Sequence, residues 1–144
     1  MFQLLLFLHV TSALFLGSYL VLPWLMKQRY LRSGDEFKGF LQSVLKFTRS
    51  AHYALIGLLI TGFLMIVLRS AFPSVLWITI AIGLLLGIGA MIGMIDKKFK
   101  QILKSDHPKQ LMSDQARTLN LYSWMAFFFI LASIVIMTNP RLLA

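Results

Sequence analysis

Four apolar stretches, each close to the length needed to cross a bilayer, constrain this chain more than any other feature. A helical span needs roughly 20 predominantly apolar residues to cross a hydrocarbon core of about 30 Å. Residues 2–26, 51–68, 76–95 and 119–138 meet that condition with no Asp, Glu, Lys or Arg in their interiors. Hydrophobic residues make up 58% of the 144, more apolar surface than a soluble core of this size can hide. The expected fold is all-α: one domain, an integral membrane antiparallel four-helix bundle.

The charges orient it. Lys27, Arg29, Arg32, Lys38, Lys46 and Arg49 lie between the first two spans, and Lys97, Lys98, Lys100, Lys104, Lys109 and Arg117 between the last two. The opposite side keeps Arg69 and Arg141. This asymmetry predicts cytoplasmic first and third loops with both termini outside, N-out/C-out. The net charge of +9 is then a topology signal with anionic lipid as its partner, and no nucleic acid is implied. The first stretch has no basic n-region and no A-x-A cleavage site, so it reads as a retained helix. Trp24, Trp77, Tyr122 and Trp124 sit near span ends, as interfacial belt residues do.

Both basic loops carry helical signals. Ser33-Gly34-Asp35-Glu36 fits a capping box, predicting a helix that starts near residue 34 and runs into the second span. Phe37, Phe40, Leu41, Val44 and Phe47 form its apolar face. Asp106-His107-Pro108 predicts a break and a new start, because proline suits a first helical turn and disrupts an interior one. Cytoplasmic helix extensions follow from both readings.

Apolar helices gain no hydrophobic advantage by associating in lipid, so small residues that permit close approach mark the contacts. The third span carries two G-x-x-x-G patterns, Gly83 to Gly87 and Gly89 to Gly93, for packing within the bundle or in a homo-oligomer. On the first span Ser12, Ala13 and Gly17 share a face with His9. On the second, Ala54, Gly57 and Thr61 form a stripe that points away from His52.

His9 is the candidate for chemistry, since an ionisable group inside a span needs a partner. At about 1.5 Å per residue it lies roughly 10 Å deep, level with Gly62 and Gly83, whose missing side chains would leave a flat space beside the imidazole. Such a space suits haem b, with His9 as axial ligand. Hydrogen bonding to a neighbouring hydroxyl or carbonyl uses the same residue structurally, and proton transfer is a third use. His52 is a weaker ligand candidate near the inner boundary, roughly 15 Å from His9 along the membrane normal, too far for both rings to hold one iron. Met91 and Met94 offer soft sulfur for a metal, although methionine more often fills apolar space. The chain has no cysteine, which removes thiolate metal sites and thiol catalysis, and no motif for hydrolysis or nucleotide chemistry.

Leu8-His9, Gly17 and Leu22-Pro23, with a glycine-bearing second span and a last span that opens near Arg117 and Asn120 and closes at Asn139-Pro140, carry a resemblance. The chain resembles small four-helix bacterial membrane proteins of the oxygen-independent protoporphyrinogen oxidase type and the copper-resistance D-like group. The resemblance implies a first-helix histidine, His9 here, that binds haem b or a metal. The third span lacks the histidine and lysine of the haem-linked oxidase, and the outer His and Met richness of copper handling is missing. A haem- or redox-related membrane protein is the first expectation. A non-catalytic accessory or assembly subunit of a larger membrane complex is the second, and copper or cation handling the third.

Overall fold

The computed structural model describes residues 1–27, 34–68, 74–139 and 141 of the chain. These form α1 (Phe2–Gly17), a 3₁₀ turn (Ser18–Val21), α2 (Leu22–Lys27), α3 (Asp35–Leu68), α4 (Val75–Lys104) and α5 (Pro108–Thr138). Taken together, α1 to α2 form one candidate span, and α3, α4 and α5 supply three more; all four are long and apolar enough to cross a membrane.

Local chemistry explains the helix boundaries. Gly34 adopts φ +60°, a left-handed conformation open to glycine, just before α3 begins with Asp35 and Glu36 in its first turn, where acidic groups complement the helix dipole. Ser33, the first member of the expected capping box, lies outside the described residues. The Ser74 hydroxyl accepts the Trp77 amide at 3.2 Å and caps α4. Pro108 occupies the first turn of α5, so the break expected at 106–108 falls between two helices.

The core is built on heptads. Helix α4 buries Ala81, Leu85, Ile88, Ile92, Ile95, Phe99 and Ile102, alternating steps of four and three. Helix α3 repeats the pattern through Phe37, Leu41, Val44, Thr48, Ala51, Leu55 and Leu58. A repeat of 3.5 residues keeps one seam of side chains facing a neighbouring helix along its length. The principal packing runs from α1 to α3, from α3 to α4 and from α4 to α5.

Glycines stand beside these seams. A Cβ on Gly87 would lie 3.1 Å from the Phe129 ring, and one on Gly89 would lie 3.0 Å from Leu55, so each G-x-x-x-G pattern supplies one close contact. Gly83 and Gly93 have nothing within 4 Å of such a Cβ.

The first span, expected as one helix, is interrupted. Pro23 has no amide proton to bond the Tyr19 carbonyl four residues earlier, and its ring crowds that position. The chain tightens into a 3₁₀ turn, and the Leu22 amide takes the Tyr19 carbonyl instead. Beyond the turn, α2 leaves α3 and packs on α5, where Trp24 stands 5.7 Å from both Trp124 and Phe127 by ring centroid. Two residues expected in the interfacial belt are therefore joined in one aromatic cluster. Pro23→Ala is expected to straighten the first span and separate Trp24 from Trp124, read as a shift in tryptophan emission that Trp24→Phe alone does not reproduce.

Candidate functional site

The close approach of α1 to α3 starts from small residues. A Cβ on Gly57 would lie 2.8 Å from Ser12 Oγ, so the glycine admits the serine side chain. Ala13, next to it, packs partly buried against the core, while Gly17 has open space beside it.

One turn nearer the N-terminus, His9 Nδ1 lies 2.8 Å from Thr61 Oγ1. The threonine has one proton, and it donates that proton to the Gly57 carbonyl at 2.6 Å. Thr61 Oγ1 is thus the acceptor for His9, and Nδ1–H the donor. This assigns the neutral ring the tautomer in which Nε2 carries a lone pair. The orienting bond to Nδ1 is the arrangement that accompanies histidines ligating through Nε2.

Gly62 borders the same ring, since a Cβ there would meet His9 Cε1 at 3.4 Å. Gly83, expected at the same depth, is not brought to the imidazole; it lies on the exposed face of α4. His52 is exposed on α3, apart from the face that carries Thr61. Met91 packs half-buried against the core whereas Met94 is exposed. Among the described residues, no group of three or more His, Asp or Glu side chains is placed to hold a metal ion.

A haem at this site would take its one axial nitrogen from His9 Nε2, with Gly62 bordering the ring. His52 and the methionines supply no second axial ligand.

Two polar contacts were not anticipated from the residues alone. The Thr48 hydroxyl donates to the Val44 carbonyl at 2.9 Å, and therefore accepts from the Tyr19 hydroxyl at 3.4 Å. Both side chains are buried, and Tyr19 stacks on Phe47 with centroids 5.5 Å apart. Trp77 Nε1 donates to the Ile136 carbonyl at 2.9 Å, satisfying a carbonyl in the last turn of α5. Thr61 was legible in part: the depth count that led to Gly62 reaches Thr61 one residue earlier.

At the opposite end of α3, a groove of about 390 Å³ runs between the starts of α3 and α5. Asp35 and Asp106 balance Lys38 and Lys109 along it, and His107 sits on its wall. Comparison with known proteins finds no matching family model, no matching curated protein and no matching solved structure.

Proposed function

We propose that this chain is a multi-pass protein of a bacterial plasma membrane that binds haem b through His9 and serves a haem- or redox-related role. One observation carries the reading: His9 Nδ1 lies 2.8 Å from Thr61 Oγ1, whose hydroxyl is 2.6 Å from the Gly57 carbonyl, and a donor at Nδ1 leaves the lone pair on Nε2. Bound haem supplies one-electron chemistry at iron, while the protein holds the ring and keeps water from it. The test is a visible spectrum of the detergent-purified protein grown with ample haem, oxidised and dithionite-reduced. A Soret band that shifts on reduction is the expected result; a colourless protein that takes up no haem on reconstitution sinks the reading.

The topology belongs to the same proposal: an antiparallel bundle, both termini outside, with the basic ends of α3, α4 and α5 in the cytoplasm. The twelve-to-two division of basic residues supports it. The chain contains no cysteine, so single cysteines report without background. Asn139→Cys is expected to react with an impermeant maleimide on intact cells and Gln110→Cys only after lysis; the reverse pattern inverts the topology.

A second reading rests on the same hydrogen bond. The bond from His9 to Thr61 also ties α1 to α3, and α1 leaves Leu4, Phe7, Leu14 and Phe15 exposed along the rest of its surface. In that reading the protein is a non-catalytic subunit of a membrane complex, and it co-purifies with a partner without colour.

A further inference from the structure

The outward surfaces of the helices change character at one level. On α3 the exposed residues Lys38, Gln42, Lys46 and Arg49 fall on one side of the cylinder, and the same side continues as exposed Tyr53, Ile56, Ile60, Phe63 and Val67. On α4 exposed Ile82, Leu86 and Met94 give way to exposed Lys97. On α5 exposed Phe128, Met125 and Leu121 give way to Arg117, and at the end of the first span Val21 and Trp24 give way to Lys27. The first exposed cation where each apolar surface ends is Lys27 on α2, Arg49 on α3, Lys97 on α4 and Arg117 on α5.

Packing contacts align these positions. From the Leu55 contact with Gly89, Arg49 lies about 9 Å along α3 and Lys97 about 12 Å along α4, at 1.5 Å per residue. From the Phe129 contact with Gly87, Lys97 lies about 15 Å along α4 and Arg117 about 18 Å along α5. Lys97 thus lies within about 3 Å of each of the other two, and Arg49 and Arg117 stand about 6 Å apart along the helix axes, a spread that long cationic side chains can span. Lys27 joins them from α2, next to the aromatic cluster of Trp24 with Trp124 and Phe127.

None of the four has a carboxylate within salt-bridge distance among the described residues. Of the two nearest acids, Asp96 is turned partly inward and engages Lys100 at 2.5 Å, and Asp114, one turn from Arg117 on α5, forms no ion pair among the described residues. The rim is therefore a ring of unneutralised cations, edged on its apolar side by Tyr53 and Trp24, rings that favour the headgroup level.

We infer that Lys27, Arg49, Lys97 and Arg117 form a belt that holds the phosphates of anionic phospholipid around the bundle. A lipid phosphate suits the belt because its acyl chains lie along the exposed apolar faces directly beside each cation, an attachment that a free anion lacks. Assignment of this belt to the inner leaflet rests on the proposed topology; the lipid preference itself does not, and neither depends on haem.

The experiment is native mass spectrometry of the full chain released from nanodiscs containing equal phosphatidylglycerol and phosphatidylcholine, counting the lipids retained. Wild type is expected to retain phosphatidylglycerol preferentially, and neutralisation to Gln at each belt position to lower that preference, by about fivefold per cation. Lys104→Gln with Lys109→Gln, two exposed cations further along the helices, is expected to leave it unchanged. Arg49→Lys and Arg117→Lys preserve charge and are expected to preserve the preference, and circular dichroism of each variant verifies the fold. If the fourfold variant does not fold, Arg49→Gln and Arg117→Gln singly carry the test. Equal retention of both lipids by wild type, an unchanged preference in folded belt variants, or displacement of the lipid by inorganic phosphate alone overturns the inference. The cysteine labelling above reports topology separately, so failure of one reading is not mistaken for failure of the other.

Discussion

His9→Ala is expected to remove the Soret band completely while the bundle stays folded. The fold survives because Thr61 keeps its own bond to the Gly57 carbonyl when the imidazole is gone, so no buried hydroxyl is orphaned. What is lost is one interhelical hydrogen bond, worth roughly 0.6 to 1.7 kcal/mol in membrane bundles. Thr61→Val separates the two roles of this bond more sharply. It leaves Nε2 in place and removes the acceptor that orients it, so haem affinity is expected to fall 10- to 100-fold, the usual effect of losing a partner of a metal-bound histidine. Thr61→Ser restores the acceptor and should recover the affinity. Titration of the apoprotein with haem, followed at the Soret maximum, measures all three. Equal affinity in wild type and His9→Ala would place any bound haem elsewhere and leave the His9 bond to Thr61 as a tie between helices.

Gly57→Val is expected to destabilise the bundle by about 1 to 3 kcal/mol, the range for overpacking a close contact. Its first added carbon would lie 2.8 Å from Ser12 Oγ, closer than side-chain carbons sit to any neighbour. Either α1 moves away from α3 or the serine leaves its rotamer. If the helix moves, the 2.8 Å contact between His9 and Thr61 breaks as well, so Gly57→Val should also lower haem affinity although it bears no ligand. Ser12→Gly opens the space on the other helix, and the double variant is expected to recover most of the loss. Gly83→Val provides the comparison, because a Cβ there meets nothing within 4 Å and the residue is exposed. Denaturation in mixed micelles, read by circular dichroism, gives the ordering: Gly57→Val lowest, with Gly83→Val close to wild type. Similar losses at both glycines would mean that the α1 contact with α3 carries no special constraint.

The comparison of the two glycines shows where sequence reasoning reaches its limit. Gly57 and Gly83 both sit in apolar stretches at helical spacings typical of close packing, and nothing in their neighbours distinguishes them. Only the docking of α1 on α3 makes one indispensable and leaves the other on the surface. The same applies to the first span. Pro23 was visible as an interruption of helical hydrogen bonding, but the transfer of the chain from α3 to α5 beyond it depends on where Trp124 and Phe127 stand. The buried bond from Tyr19 to Thr48 joins residues 29 positions apart in the sequence and has no local signature.

By itself, the sequence determined the number of apolar helices, their approximate ends, the helical extensions beyond the apolar stretches and the division of charge. Each follows from the chain alone, because helical hydrogen bonds close within four residues and the length and charge of an apolar stretch are local properties. Helix α3 starts at Asp35, next to the residue-34 start expected from Ser33-Gly34-Asp35-Glu36, and α5 starts at Pro108. Tertiary structure alone decided which partner His9 meets, which glycines are filled and how the outward cations line up. Those outcomes depend on the rotation and axial offset of one helix against another, set by the heptad seams of α3 and α4 together with the small contacts at Gly57, Gly87 and Gly89. A shift of a single residue along one of these helices would turn the face that carries Thr61 by about 100° and take the acceptor away from His9.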